Sequence, residues 1–114
     1  MRQCYIVNVE GAIFRGDRWL VIRRSLREEH APGTLSLVGG KVEDASPGSD
    51  ILELTLRREI REEVGLEVAE LHYLESKLFL TAAGEPVVDA VYVAECRPGA
   101  GSVRTRTRWL KFYG

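Results

Sequence analysis

The sequence is short of several things, and each shortage removes a class of function. Cysteine occurs twice, at Cys4 and Cys96, too few and too far apart for a disulfide framework. Both read as buried, reduced thiols in strands, which is cytoplasmic usage. No apolar run approaches the roughly 20 residues that a membrane span needs. Neither sign of charge dominates: 16 basic residues face 17 acidic ones, for a formal net charge of -1. That balance gives no global pull towards nucleic acid or an anionic membrane, so any recognition of phosphate has to be local. The two histidines, His30 and His72, are isolated and lack metal-ligand spacing. Internal repeats, linkers and low-complexity stretches are missing as well. The first residues, MRQCYIVNVEGAIF, alternate like a strand without a small-residue cleavage site, which argues against a signal peptide.

What is present suits one soluble domain over residues 1–114, with 45% hydrophobic and 29% charged residues and length enough for a core. Residues 4–14 read as a strand, 15–18 as a turn and 19–24 as its antiparallel partner. A polar loop with Pro32 and Gly33 precedes a short strand over 35–38, which Gly39-Gly40 should end. A further loop follows to residue 49. Asp50 is expected to cap a helix over 51–64, with Glu53 as the reciprocal member of a capping box and Gly65 as its left-handed terminator. Strands over 71–80 and 86–96, joined by a turn at 82–85, lead to a loop at 97–101 and a last strand over 103–112. Many antiparallel strands with one strong helix make an α+β pattern.

The helix carries the informative stretch, RREIREEVGL at 57–66. Glu59, Glu62 and Glu63 sit three and four residues apart, where like charges repel by a few tenths of a kcal/mol per pair. With about 100° per residue from Glu59, Leu52, Leu56, Ile60 and Val64 fall at about 20°, 60°, 100° and 140°, forming the apolar stripe. Glu63 falls at about 40° and Glu62 at about -60°, on or beside the edge of that stripe. A solvated charge run belongs on the opposite face. Carboxylates at a core edge raise one another's pKa unless a cation intervenes, and Mg²⁺ favours oxygen ligands shared with substrate phosphates. Acidic helices are common, however, and a salt-bridged surface with Arg57, Arg58 and Arg61 stays open on geometry alone.

Arg58, Glu59, Ile60, Arg61, Glu62, Glu63, Val64, Gly65 and Leu66 follow the pattern R-E-U-x-E-E-x-G-U, where U is aliphatic. This resembles the core of the Nudix box, the signature of the Nudix hydrolase family, and Gly39-Gly40-Lys41-Val42-Glu43 resembles the loop that enters it. The resemblance implies a Nudix-like α/β/α sandwich with a mixed, largely antiparallel sheet. It implies Mg²⁺-dependent hydrolysis, with Mn²⁺ as a substitute, of a pyrophosphate bond in a nucleoside diphosphate linked to another moiety. By carry-over, Glu59, Glu62 and Glu63 are metal ligands, or Glu62 or Glu63 is the base that activates water. The Gly40 carbonyl is a further ligand, and Arg58 orients the glutamates.

The sequence also departs from the family pattern. Asp50, separated from Arg58 by seven residues, stands where relatives have glutamate, and nine residues separate it from Gly40, about four more than usual. Asp50 is the stand-in, with Glu43 as the weaker choice. A later loop acid is missing, leaving Glu85, Asp89 and Glu95 as candidates. Relatives continue into a C-terminal helix, which this chain is expected to lack after Trp109. The apolar residues of the last strands are then expected to be covered in a homodimer, with the final strand at or near the interface. Arg23, Arg24 and Lys41 are candidate contacts to a small nucleotide substrate. Arg104, Arg106 and Arg108 form either a phosphate stripe or a charged edge. Trp19, Trp109, Tyr92 and Phe79 are assigned to the core. Long nucleic acid is disfavoured by the charge balance. The alternatives are a Nudix-fold nucleotide-binding or sensor module with weak or no turnover, and a Nudix enzyme for ADP-ribose, a dinucleoside polyphosphate or capped RNA.

Overall fold

Residues Ile6–Arg15 alternate in burial and form the central strand, β1. The computed structural model describes residues 2–23, 35–44, 46–97 and 107–111, with side chains for 2–22, 36–44 and 46–97. After β1 come β2 (Arg18–Arg23), β3 (Leu35–Ser36), β4 (Val38–Lys41), α1 (Ile51–Val64), β5 (His72–Leu80), β6 (Pro86–Glu95) and β7 (Thr107–Lys111). The sheet runs β3-β2-β1-β6-β5, with β4 on β1 and β7 on β2. It is mixed: β1 and β6 are parallel from Ile6↔Val87 to Phe14↔Glu95, and the other pairs are antiparallel. The expected α+β class and mixed sheet are present, with one helix among the described residues.

Alternation fixes what each sheet face does. Val9 and Ile13 of β1 and Ala90, Tyr92 and Ala94 of β6 point to one side, where they are buried with Leu56, Ile60 and Val64 of α1. Full burial of each large aliphatic side chain contributes about 1.5–3 kcal/mol. The other face of the same strands carries Asn8, Glu10 and Asp89, an unusual set of polar groups for the centre of a sheet. Val38, paired with Gly11, closes the helix side of β4.

The helix bounds match the expectation at both ends, and Gly65 terminates it at φ 73 with its N–H donating to Arg61 O at 3.1 Å. Its start is built differently from the expected capping box. Asp50 is left-handed at φ 55 and its side chain makes no cap hydrogen bond. Its carbonyl accepts from Leu54 N instead. Glu53 accepts a hydrogen bond from the Tyr92 hydroxyl, which ties the first turn to β6. Burial pushes the Tyr92 phenol up to about 12, and the neighbouring Glu53 carboxylate adds to the shift.

Three other expectations change. Gly39-Gly40 does not end a strand but lies inside β4, where Gly39 pairs with Glu10 and Gly40 with Val9. Cys4 is exposed outside the strands, whereas Cys96 is buried. Phe79 is 43% exposed, on the outermost described strand on its side of the sheet. Trp19 is half-buried against Phe14, ring centroids 5.3 Å apart. The backbone of β7 runs along β2. The side chains of Arg108 and Trp109 lie outside the described residues, as do Arg24, Arg104 and Arg106 entirely. Among the described residues no helix is long and apolar enough to cross a membrane.

Candidate active site

The two glycines of β4 are held against opposite neighbours, for opposite reasons. A Cβ on Gly39 would stand 2.2 Å from the Val9 carbonyl oxygen, so the backbone of β1 excludes any side chain there. A Cβ on Gly40 would stand 2.6 Å from the Glu59 Cδ and 2.9 Å from both carboxylate oxygens. The strand backbone and the helix carboxylate are thus pressed together, with only glycine permitting the approach. Of the three box glutamates, Glu59 is half-buried, and Glu62 and Glu63 are exposed. The helical wheel gives direction only, and in the last turn Val64 remains buried while Glu63 clears the protein edge. No group of three His, Cys, Asp or Glu side chains converges to metal-ligand geometry among the described residues.

Arg58 ends on Asp44, 3.6 Å away, on the loop between β4 and α1. That contact links the box helix to its entering loop, and Asp44 had no signal in the sequence. Arg57 is also structural, donating to the carbonyls of Val68 and Ala69 at 3.0 Å each. It holds the segment after α1, where Arg97 donates to the same Val68 carbonyl.

On the other side of Gly39-Gly40 lies a cavity of about 670 Å³, within the range of small-molecule sites. Asn8, Glu10, Lys41 and Phe79 line it, and the turn at 81–85 forms one wall. Lys41 is exposed there; the Arg23 side chain is outside the described residues. Asp89 is 1% exposed and sits behind the lining. It accepts from Asn8 Nδ2 at 2.8 Å, and Lys77 Nζ lies 3.8 Å from it and 3.5 Å from Glu10. Burial raises the Glu10 carboxyl to about 7, helped by a hydrogen bond with Asp89 and by its charge, while Lys77 pulls the other way. Of the later acids considered, Asp89 is therefore buried behind the cavity lining, held by Asn8 and Lys77. Glu85 also lines the cavity, and Glu95 is exposed at the end of β6. Sequence reading missed Asn8, Glu10 and Lys77. The parallel pairing of β1 with β6 brings them together, and nothing in the local sequence announces it.

The helix thus carries the box residues, a glycine strand presses on the first box glutamate, and a cavity adjoins them. The NUDIX domain model matches residues 5–105, and the chain belongs to the Nudix hydrolase family. Members of this family generally hydrolyse the pyrophosphate linkage of nucleoside diphosphate derivatives. The fold is similar to that of the MutT NUDIX hydrolase from Burkholderia pseudomallei, with a TM-score of 0.77 and 29% identity, over 96% of this chain and 84% of that one. It is similar to the E. coli ORF135 protein, with TM-score 0.72, 24% identity and coverage of 96% and 75%. It is also similar to the NUDIX domain of Shewanella oneidensis NrtR complexed with ADP ribose, with TM-score 0.73, 21% identity and the same coverage. No curated protein matches the sequence.

Proposed function

We propose that the protein is a divalent-cation-dependent pyrophosphohydrolase of a small nucleotide derivative, with the nucleoside side of the substrate in the cavity and its diphosphate at Gly40 and α1. The observation that carries this reading is the seat of Gly40: its backbone borders the cavity on one side and touches the Glu59 carboxylate on the other. Glu59, Glu62 and Glu63, with the Gly40 carbonyl, suit Mg²⁺ or Mn²⁺, since hard cations take oxygen ligands and share them with phosphates. Such an ion neutralises the diphosphate and lowers the pKa of the attacking water. Whichever of Glu62 and Glu63 does not hold the ion would accept the proton of the attacking water, and Arg58 positions the box helix through Asp44. Lys41 meets the phosphates, and Phe79 offers an exposed ring to a base or sugar. Two free cysteines suit a reducing, cytoplasmic setting.

A nucleotide-binding module with weak turnover is the second reading, favoured by the absence of a converged carboxylate cluster among the described residues. Incubation with a panel of nucleoside diphosphate derivatives and Mg²⁺, including ADP-ribose, dinucleoside polyphosphates and capped RNA, separates the two. The enzyme reading expects a nucleoside monophosphate product from at least one compound; saturable binding without products favours the module.

A further inference from the structure

Strand β5 forms one edge of the sheet, and no described strand pairs with its outer side. All nine of its residues are exposed, among them Tyr73, Leu74, Leu78 and Leu80 at 58–65%. Edge strands are ordinarily kept short, charged or covered, because their unpaired N–H and C=O groups recruit another strand. This edge is long and largely apolar. Leu78 and Leu80, which pair with Val88 and Pro86, lie on the α1 side of the sheet, and Phe79 lies on the cavity side. Large exposed apolar surfaces of this kind mark interaction sites.

We propose that β5 is a homodimer interface, in which two copies of the strand pair antiparallel about a two-fold axis at Ser76 and continue the sheet across both protomers. The sequence of the strand, HYLESKLFL, supplies the argument. A two-fold axis perpendicular to a sheet keeps every side chain on its own face, so the axis has to pass through a residue facing its own copy. An axis at Glu75 sets two glutamates against each other, and one at Lys77 sets two lysines together. An axis at Ser76 places Glu75 opposite the partner's Lys77, and Lys77 opposite the partner's Glu75. Leu78 then falls against the partner's Leu74, and the bulge between Tyr73 and Glu75, which turns Tyr73 onto Tyr92 on the α1 side, marks the outer end of the pairing. Both charged pairs and the leucine contact arise from one register. Lys77 lies between Glu10 and Asp89 yet keeps 51% of its side chain exposed, which leaves it room for a third acid.

The occupant is a second copy and not an unrelated strand because the complementarity is internal to β5. It also differs from an interface at the final strand, since β7 is already paired with β2 in its own chain. Sedimentation of the full chain at micromolar concentrations is expected to give twice the 12.8 kDa mass. Glu75→Lys, shown to be folded by circular dichroism, is expected to raise the dimer dissociation constant by about tenfold or more. Ser76→Cys with Cys4→Ser is expected to form a disulfide-linked dimer on mild oxidation, because directly opposed Cβ atoms lie about 4.5–5.5 Å apart. Glu75→Cys in the same background is expected to stay uncrosslinked. A monomer at every concentration overturns the proposal. So does a dimer that Glu75→Lys leaves intact, or one whose Ser76→Cys variant fails to cross-link.

Discussion

Replacing Gly40 by alanine separates function from folding at one position. The new Cβ stands 2.6 Å from the Glu59 Cδ, about 0.8 Å inside the 3.4 Å where ordinary contact begins. The obstacle is the far end of a flexible side chain, so Glu59 yields by leaving its rotamer, at about 0.5–1.5 kcal/mol. Removing a glycine from a strand returns about 0.5–1 kcal/mol. Stability therefore changes by less than about 1 kcal/mol, or roughly 4–5 °C in Tm. Displacing a group by about 1 Å at the reacting centre costs on the order of a hundredfold in rate. Gly39→Ala, one residue away, meets the Val9 carbonyl at 2.2 Å and the Glu10 Cα at 2.9 Å. Backbone cannot step aside, so that variant loses the β1–β4 pairing and about 3 kcal/mol or more. Thermal unfolding by circular dichroism with and without Mg²⁺, together with steady-state turnover, reads both outcomes. A Gly40→Ala protein with parental turnover and parental stabilisation by Mg²⁺ refutes the site; a Gly39→Ala protein as stable as the parent refutes the packing.

Four further outcomes are expected. Glu63→Gln, at an exposed position, should leave Tm without metal within about 0.5 kcal/mol of the parent but abolish most of the stabilisation by Mg²⁺; parental metal binding and turnover would reject it as a ligand. Asp50→Asn should preserve stability and activity, since asparagine tolerates the left-handed conformation, whereas Asp50→Val should lose about 1–2 kcal/mol. A hundredfold loss of kcat in folded Asp50→Asn would make that carboxylate a working part of the site. Tyr92→Phe removes the donor to Glu53 and should cost about 1–2 kcal/mol in urea unfolding, with no change meaning that the contact holds nothing. The Glu10 carboxyl, ordinarily 4.5, stands at about 7 in the folded chain, so its contribution is fully present below pH 4.5 and is lost as pH rises through 7. After allowance for partial exposure that loss is about 1–2 kcal/mol, and Glu10→Gln should flatten the curve between pH 5 and 8; an unchanged slope assigns the pH dependence elsewhere.

The box helix was legible because its signals agree. Leu52, Leu56, Ile60 and Val64 repeat at helical spacing, and Gly65 supplies the turn that ends it. The box pattern is local too, lying within 58–66. Gly39-Gly40 misled because a glycine pair reads as a strand breaker, whereas here contact with β1 and Glu59 demands glycine inside a strand. Asp50 misled similarly: aspartate is a good cap, but Glu53 has a better partner in Tyr92, 39 residues away. The Asn8–Glu10–Asp89–Lys77 cluster was hidden because it depends on strand order. Side chains 81 residues apart meet only when β1 lies beside β6, and no periodicity encodes that neighbourhood.

The most direct test of the central claim is the Mg²⁺-dependent release of a nucleoside monophosphate, followed by chromatography for the parent and for Glu59→Gln. Glu59 is the carboxylate that touches Gly40 beside the cavity. Metal-dependent product from the parent, reduced about a hundredfold or more in Glu59→Gln while the variant stays folded, is the predicted result. Turnover that needs no divalent cation, or that Glu59→Gln leaves at the parental rate, contradicts it.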